Sequence, residues 1–485
     1  MARWDMQLLS LHRSLRDFCA VAGLVLATQI FCRAQSAVEV QLSPAVPGAM
    51  VAPDFVGLSF EMQRVLADTN GFHFFSPTNR ALIATFQTLG VKSLRVGGNT
   101  ADRPTLPTPS TDDVDNLFGF ARAAGVKVIF TLRLREGSRD AATQMANYIT
   151  RHYAPLLAAF TIGNEPNVFS KEFAPYLAEW KRYAAQITAP TNSPAARFCG
   201  PSTSPGHETW SRDFANDLGG NGPLAFIAQH DYPGGDARRA TNAAVARDKL
   251  LAAAMADHYA KFAAHFVPAV LAYRLPYRLE EANSFYDGGA PDVSDTFAAA
   301  LWALNYQWWW AAHGASGINF HTGDKVAARD ENKPCRYAVF WTTPDGFNIH
   351  PLGYALKLFS LGSQGRLVPA TVTKPDDLNM AVYATVGGGR ELNVTLINQE
   401  HGPGARAAEI TLSPGLAFAK AEILQLAAPE WDVATKTGIT LGGAEILNDA
   451  TWDGQWAPLP APARDGKFSL HLPPASAALV RFSVN

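Results

Sequence analysis

The chain is dominated by a regular alternation of short apolar runs with longer stretches of helical periodicity. Such alternation predicts an α/β fold, in which crossover helices join the strands of a parallel sheet. Eight apolar runs occur before residue 321, at residues 55–60, 93–96, 126–132, 159–162, 197–200, 224–229, 277–279 and 317–320. Seven helical patterns separate them, at residues 79–89, 112–124, 140–152, 171–187, 209–218, 242–265 and 296–313. Eight strands with seven intervening helices fit a (β/α)8 TIM barrel better than an open sheet.

The pattern changes near residue 361, where short alternating runs replace the helical segments. Turn-forming residues separate these runs, as expected for hairpins. We therefore expect a catalytic barrel over residues 53–358 followed by a C-terminal β-sandwich domain over residues 359–485. Residues 37–52 also alternate, and we expect them to add an N-terminal strand to the sandwich.

The first residues have the organisation of an export signal. Arg3, Arg13 and Arg16 precede an uncharged apolar run of 14 residues, at 18–31, which small residues follow. That order is typical of a signal peptide over residues 1–36. The run is short for a membrane span, although an uncleaved anchor is the alternative. We expect a periplasmic or secreted protein with no stable membrane association after signal removal.

Composition excludes several classes of protein. With 47% hydrophobic and 17% charged residues, the 485-residue chain can bury a large core and is not disordered as a whole. Its formal net charge of −2 argues against a nucleic-acid partner. After signal removal only Cys199 and Cys335 remain, and they could pair or stay as buried thiols. The histidines are scattered singly, so we expect no metal.

Two glutamates stand where predicted barrel strands end. Glu165 lies in Thr-Ile-Gly-Asn-Glu-Pro-Asn and Glu281 in Tyr-Arg-Leu-Glu-Glu-Ala-Asn-Ser. TIM-barrel active sites form at this edge, and a carboxyl group desolvated by an apolar strand has a raised pKa that suits a proton donor. A single strand-end glutamate could equally form a salt bridge. Two facing each other suit cleavage of a glycosidic bond, with Asn164 placed to hold a sugar 2-hydroxyl.

Four segments together resemble clan A retaining glycoside hydrolases, and more narrowly glycoside hydrolase family 79, which contains heparanase and microbial β-glucuronidases. They are residues 55–61, 94–99, 163–167 and 281–291, the last continuing as Ser-Asp-Thr-Phe-Ala at residues 294–298. The resemblance spans the barrel and, by domain order, the sandwich. It implies a retaining β-glucuronidase that acts on glucuronides or glucuronate-containing oligosaccharides and needs no cofactor.

The resemblance also assigns roles to residues. Glu165 matches the acid/base, and Glu281 matches the nucleophile because it lies five residues before Tyr286. Neighbouring Glu280 then becomes a packing or supporting charge. Tyr232 matches the position that hydrogen-bonds the nucleophile.

Recognition of a uronic acid carboxylate is implied for Tyr286, for backbone amides near Gly288, and for Tyr337. A phenol suits this role because it donates a hydrogen bond without adding a full charge. One departure weakens the glucuronate assignment. Relatives commonly have glycine where this chain has Asp287, and an acidic group there would repel a carboxylate unless it points away.

Other strand-end residues are expected at the same barrel mouth. Glu61, Gly98 and Asn99 are candidates for binding sugar hydroxyls. Arg95 is expected to pair with a buried carboxylate near the nucleophile, and His321 is a candidate pocket wall.

Three alternatives stay open from the sequence. The chain could be a clan A hydrolase for a neutral β-glycoside, an endo-acting enzyme like heparanase, or a non-catalytic carbohydrate-binding protein. The near-neutral charge favours exo cleavage, since a sulfated polymer would require a basic cleft.

Overall fold

A computed structural model describes residues 35–220, 222–326, 330–388 and 391–483. Eight strands close into a parallel barrel, each hydrogen-bonded to the next and the last to the first. This confirms the (β/α)8 barrel expected from the sequence. The strands are β2 (Val56–Glu61), β3 (Ser93–Gly97), β4 (Lys127–Leu132), β5 (Leu157–Ile162), β6 (Phe198–Thr203), β7 (Leu224–Asp231), β8 (Tyr277–Ala282) and β9 (Ile318–His321).

Helices cover the outside of the barrel, and most begin and end within a few residues of the expected bounds. They are α1 (Arg80–Leu89), α2 (Thr111–Ala124), α3 (Arg139–Tyr153), α4 (Phe173–Ile187), α5 (Glu208–Leu218), α6 (Ala243–Leu251), α7 (Met255–Ala264), α8 (Val267–Ala272), α9 (Phe297–Ala312) and α10 (Pro351–Gly362). Local capping explains sharp ends such as that of α2. Ser110 and Asp113 form a reciprocal capping box at its start, and Gly125, with φ 72°, closes it.

One helical expectation was wrong. Residues 242–265 were expected to form a single helix, but the chain breaks this segment into α6 and α7 and adds α8. Ala252 adopts an extended conformation that ends α6. Pro268 lies in the first turn of α8, where proline is tolerated but where it could not continue a preceding helix.

Two antiparallel hairpins extend the connection between β9 and α10 beside the barrel mouth. They are formed by β10 (Lys325–Val326) with β11 (Asp330–Pro334), and by β12 (Phe340–Thr343) with β13 (Gly346–Ile349). Tyr337 lies between the two hairpins, so they determine where its ring is held.

The C-terminal part is a β-sandwich of two sheets. One sheet has four strands, in the order β15 (Ala370–Thr373), β1 (Gln35–Leu42), β18 (Ala407–Ser413) and β22 (Phe468–Leu472). The other contains β14 (Arg366–Leu367), β16 (Met380–Val386), β17 (Leu392–Asn398), β23 (Ser476–Ser483), β19 (Lys420–Ala427), β20 (Thr440–Leu441) and β21 (Ala457–Pro458). Apolar side chains such as Val38 and Ile410 from one sheet and Val394 and Val480 from the other form a shared core.

The N-terminal strand β1 begins at Gln35, so it includes the last two positions of the expected signal peptide. The rest of that segment, residues 1–34, lies outside the described residues. Across the parts of the chain that the structure covers, no helix is long and apolar enough to cross a membrane. Cys199 and Cys335 are both buried and free, so they do not pair with each other.

Trp308 in α9 joins the barrel to the sandwich. Its ring stacks on Tyr383 of β16, with centroids 5.5 Å apart and planes 8° apart, and contacts Phe359 of α10 at 4.8 Å. The neighbouring Trp309 and Trp310 are also buried. The three consecutive tryptophans therefore pack the core and do not form an exposed sugar-binding platform.

We expect Trp308→Ala to lower the free energy of unfolding by about 3–5 kcal/mol, because it empties a closed aromatic contact between two domains. Chemical denaturation of the purified protein measures this. Trp456→Ala serves as the matched control, since that ring is partly exposed beneath Arg481 and its loss should cost about 1 kcal/mol. Equal losses of unfolding free energy in the two variants would contradict the role of Trp308 in packing the barrel against the sandwich.

Candidate active site

A cavity of about 300 Å³ opens at the carboxyl ends of the barrel strands. Most of the residues singled out from the sequence line it, namely Glu61, Asn99, Glu165, Tyr232, Glu281, Tyr286, Gly288 and Tyr337. Asn164 and Gly98 lie immediately behind this lining. The barrel thus gathers side chains from segments more than two hundred residues apart.

The loop after β5 holds Glu165 in a defined position. Gly163, with φ 83°, turns the chain, and Glu165 itself adopts φ 44°, a left-handed conformation that is costly for a residue with a side chain. The buried carboxylate of Asp102 accepts a hydrogen bond from the Asn164 amide at 2.6 Å, and the Glu165 amide donates to the carbonyl of Ser202 at 3.0 Å. These contacts hold the strained backbone in place at the residue that carries the candidate acid/base.

Glu281, near the end of β8, is held by two donors. Arg95 Nη1 donates to its Oε2 at 2.6 Å, and the Tyr232 hydroxyl donates to its Oε1 at 2.9 Å. Burial opposes ionisation of this carboxyl, but the positive charges of His321, His230 and Arg95 hold its pKa well below the usual value. The sequence-based expectation of a raised pKa therefore fails at Glu281, because the cations outweigh desolvation.

His230, at the end of β7, connects the two glutamates. One oxygen of Glu165, one of Glu281 and a ring nitrogen of His230 all lie within 4.8 Å of one another. His230 Nδ1 is 3.0 Å from Glu165 Oε1. Burial alone would lower the pKa of His230, but the negative charge of Glu281, the hydrogen bond to Glu165 and the nearby Glu280 carboxylate raise it to about 9. The sequence analysis assigned His230 no role, although a polar residue at a strand end was a usable signal.

Glu280 points into the barrel interior and is completely buried. Its Oε2 accepts hydrogen bonds from Thr161 at 3.2 Å and from the Cys199 thiol at 3.4 Å, while its Oε1 lies 3.6 Å from His230 Nε2. Burial disfavours its charge, yet His230 and Arg95 lower its pKa to about 2. Glu280 is therefore a buried anion that balances the charges of His230 and Arg95. This agrees with the supporting charge expected for the residue next to Glu281.

Glu165, His230 and Glu281 could in principle hold a metal ion, since their ligand atoms are close together. A metal needs the neutral imidazole with a free lone pair. The raised pKa of His230 favours the protonated ring, which cannot bind a metal, and Arg95 and Tyr232 each donate a hydrogen bond to one Glu281 oxygen. The trio therefore fits a hydrogen-bonded ion cluster better than a metal centre.

Three tyrosines meet on one side of the cavity. The ring of Tyr232 is 6.3 Å from that of Tyr286 and 6.1 Å from that of Tyr337. Gly288 adopts φ 84°, and its carbonyl accepts a hydrogen bond from the Arg336 amide at 2.6 Å, which ties this loop to the segment carrying Tyr337. The geometry brings the candidate carboxylate-binding residues together.

Asp287 is balanced by cations. Its Oδ2 lies 3.4 Å from Lys333 Nζ and 3.6 Å from Arg238 Nε, and its side chain is only 9% exposed. Lys333 Nζ also donates to the Asp287 carbonyl at 2.9 Å. The repulsion expected from the sequence is therefore offset by cations from two other segments of the chain.

A further part of the cavity wall is built around Glu61. Its Oε2 accepts hydrogen bonds from the Thr100 amide at 2.8 Å and hydroxyl at 2.5 Å, and its Oε1 lies 3.8 Å from His321 Nε2. A Cβ at Gly98 would stand 2.5 Å from the Glu61 carboxylate, so glycine is needed for this close approach. Gly98 thus supports Glu61, while Asn99 and His321 face the cavity.

Sequence comparisons match only a small part of the chain. No protein-family profile matches the chain. A curated β-glucuronidase from Aspergillus niger is 39% identical over 49 residues, which are 10% of this chain and 9% of that protein. The chain thus matches less than a tenth of the length of that relative.

Solved structures align over nearly the whole chain. A 4-O-α-L-rhamnosyl-β-D-glucuronidase from Fusarium oxysporum has a TM-score of 0.69 and 20% identity, covering 91% of this chain and 99% of that one. A family 51 arabinofuranosidase from Xanthomonas axonopodis has a TM-score of 0.68 and 16% identity, covering 93% and 100%. A family 39 enzyme from the same organism has a TM-score of 0.61 and 14% identity, covering 94% and 99%. The chain therefore shares the barrel-and-sandwich fold of these solved glycoside hydrolase structures.

The ion cluster predicts a specific pH dependence of stability. The pKa of His230 is raised from 6.5 to about 9 in the folded protein, so protonation of this ring stabilises the folded state. The stabilisation is complete below pH 6.5 and is lost as the pH rises through about 9. Urea denaturation of the wild type should therefore show a falling free energy of unfolding over that range. For each unit by which the pKa of His230 in the folded protein exceeds its pKa in the unfolded chain, the free energy of unfolding should fall by about 1.4 kcal/mol. His230→Asn should lack this fall.

His471→Asn is the matched control, because that histidine is half-exposed beside Glu409 on the sandwich surface. It should keep the wild-type dependence. The same alkaline slope in His230→Asn as in wild type would show that His230 is not held protonated by the carboxylates of Glu280 and Glu281.

Proposed function

We propose that the protein is a retaining exo-β-glucuronidase, which releases β-linked glucuronic acid from glucuronides or glucuronate-containing glycans. The observation that carries this proposal is the approach of Glu165 and Glu281, whose nearest oxygens lie within 4.8 Å. Retaining glycosidases have carboxyl groups about 5–5.5 Å apart, whereas inverting enzymes need about 6.5–9.5 Å to admit a water. The close pair supports a covalent, double-displacement mechanism.

In the first step, an oxygen of Glu281 attacks the anomeric carbon. The lowered pKa keeps this carboxyl ionised and therefore nucleophilic near neutral pH. As the C–O bond to the leaving group breaks, Glu165 gives its proton to the departing oxygen. The products are a free alcohol and an ester between the sugar and Glu281.

In the second step, Glu165, now a carboxylate, takes a proton from a water molecule. The resulting hydroxide attacks the anomeric carbon and breaks the ester, which returns Glu281 as a carboxylate and Glu165 as an acid. Arg95 and the Tyr232 hydroxyl stabilise the Glu281 carboxylate as it leaves, since both already hydrogen-bond it in the free protein.

Two kinds of observation support a uronic acid as the glycone. Tyr286, Tyr337 and Gly288 line the same side of the cavity, where phenol donors suit a carboxylate, and Asp287 is neutralised by Lys333 and Arg238. The Aspergillus niger and Fusarium oxysporum proteins are both described as glucuronidases. A cavity of about 300 Å³ favours one terminal glycone over a long polymer. The export pattern in the sequence of residues 1–36 supports action in the periplasm or outside the cell.

Glu281→Gln should reduce hydrolysis of nitrophenyl β-glucuronide at least about a thousandfold, because the amide cannot form the covalent ester. Nitrophenol release from the β-glucuronide, β-glucoside and β-xyloside measures both activity and sugar preference. Glu165→Gln with added azide should yield the β-glucuronosyl azide, since azide needs no general base and attacks the glycosyl-enzyme.

Glu179→Gln is the matched control, as this glutamate lies on the surface of α4 beside Arg182. It should retain full activity. Wild-type preference for a neutral glycoside would contradict the uronic acid assignment, and an α-configured azide product from Glu165→Gln would contradict the assigned roles.

Tyr286→Phe and Tyr337→Phe should each lower kcat/KM for the β-glucuronide by about tenfold to a hundredfold, because each removes a hydrogen bond to a charged group. Activity on the β-glucoside should change much less. Tyr273→Phe, whose hydroxyl donates to a carbonyl on the barrel exterior, is the control. Equal losses on both substrates would instead assign the tyrosines to packing.

A further inference from the structure

Four carboxyl groups line the cavity at the barrel mouth, those of Glu61, Glu165, Glu281 and Asp287. Three of them lie beside a basic group of the protein. These pairs are Glu165 with His230 at 3.0 Å, Glu281 with Arg95 at 2.6 Å, and Asp287 with Lys333 at 3.4 Å. The charges of these three carboxyl groups are therefore balanced without a substrate.

The fourth carboxyl group, that of Glu61, faces His321. Its Oε1 is 3.8 Å from His321 Nε2, and the other ring nitrogen of His321 is 3.7 Å from Glu281 Oε2. Burial opposes a charge on this ring, but the negative charges of Glu281 and Glu61 raise the pKa of His321. Glu61 thus also has a basic partner within the cavity wall.

Lys325 is the lining residue that does not fit this pattern. Its side chain is exposed, and it forms no ion pair or hydrogen bond with any residue in the described ranges. Lys325 also lines an adjoining cavity of about 200 Å³, whose carboxyl groups are those of Glu61 and Asp324. Asp324 is already paired with Arg64 at 2.9 Å. Among the described residues, Lys325 is therefore a cation of the cavity wall that lacks a counter-charge.

The hairpin strand β10 places Lys325 beside the candidate carboxylate-binding residues. Val326, the next residue of β10, packs in an apolar cluster with Tyr337. A Cβ at Gly288 would collide with the Val326 side chain, so β10 lies directly against the Gly288 backbone. Lys325 itself pairs with Pro334 of β11, which fixes its backbone. The ammonium group is thus carried on a flexible stem from a fixed point next to Gly288 and Tyr337.

An acidic sugar needs something that the tyrosines alone do not supply. Phenols such as those of Tyr286 and Tyr337 donate hydrogen bonds to a carboxylate and orient it, but they carry no charge. Moving a carboxylate from water into a cavity that already holds carboxylates is unfavourable unless a cation accompanies it. The ammonium group of a lysine is a compact charge with three donors. A neutral sugar, which has a hydroxymethyl group at C5, needs no such cation.

We propose that Lys325 selects an acidic glycone, because its ammonium group binds the carboxylate on C5 while Tyr286 and Tyr337 orient that group. This inference rests on the proposed function and assigns its substrate preference to one residue. Lys325 is a specificity residue in this scheme. It acts on substrate binding and takes no part in the transfer of the glycosyl group between Glu281 and water.

The test measures nitrophenol release from the β-glucuronide and the β-glucoside by wild type and by Lys325→Met, which removes the charge and keeps a long side chain. We expect the variant to raise KM for the glucuronide at least about tenfold, with kcat within about threefold and kcat/KM for the glucoside within about twofold. Free glucuronate should inhibit the variant at least about tenfold more weakly than wild type. Added sodium chloride should raise the wild-type KM for the glucuronide, and the variant should lose this dependence.

Lys325→Arg keeps the charge and should retain the preference for the glucuronide. Lys127→Met is the matched control, because that exposed lysine begins β4 at the opposite end of the barrel from the cavity, and it should behave as wild type. Unchanged KM and glucuronate inhibition in Lys325→Met would overturn this inference and leave the glucuronidase proposal standing. Equal losses on both substrates would also overturn it. A wild type that neither cleaves the glucuronide nor binds glucuronate would reject the proposed function, and this inference with it.

Discussion

The buried guanidinium of Arg95 is the interaction on which the candidate site depends. It lies in β3 with no exposed surface, and it reaches three other strands or their ends through Ser59, Asn164 and Glu281. A buried cation is tolerated only when it is paired and hydrogen-bonded. A Cβ at Gly97 would stand 2.5 Å from the Arg95 guanidinium carbon, so even the backbone of β3 is adapted to it. The charge therefore constrains both the barrel packing and the position of Glu281.

Around Arg95 the barrel interior holds alternating charges. Glu280 and Glu281 carry negative charge, and His230 lies between them and Glu165 with its pKa raised to about 9. Each group keeps its charge because its neighbours carry the opposite one. The cluster thus couples barrel stability to the ionisation of the groups that face the cavity. Replacing one member changes the protonation of the others, so single substitutions here are not independent.

The sequence predicted the architecture well because apolar periodicity records which faces are buried. All eight strands occur where expected, and the residues at their carboxyl ends do converge. Electrostatic detail was less accessible. The pKa of Glu281 depends on cations from β3, β7 and β9, and the balance at Asp287 depends on Lys333, 46 residues away. The role of His230 and the break at Ala252 likewise depend on tertiary packing that a local pattern does not contain.

Strand β1 lies between β15 and β18, strands that follow it in the chain by more than three hundred residues, with the entire barrel in between. Such pairing gives the four-stranded sheet a very large sequence separation between partners, which slows its formation. During synthesis, which proceeds from the N-terminus, the barrel can close while β1 still lacks its neighbours. Until β15 and β18 have been made, β1 is an unpaired strand with alternating apolar residues, and such strands can pair incorrectly. The domain order therefore implies that the sandwich is completed last, after β18 and β22 have been made.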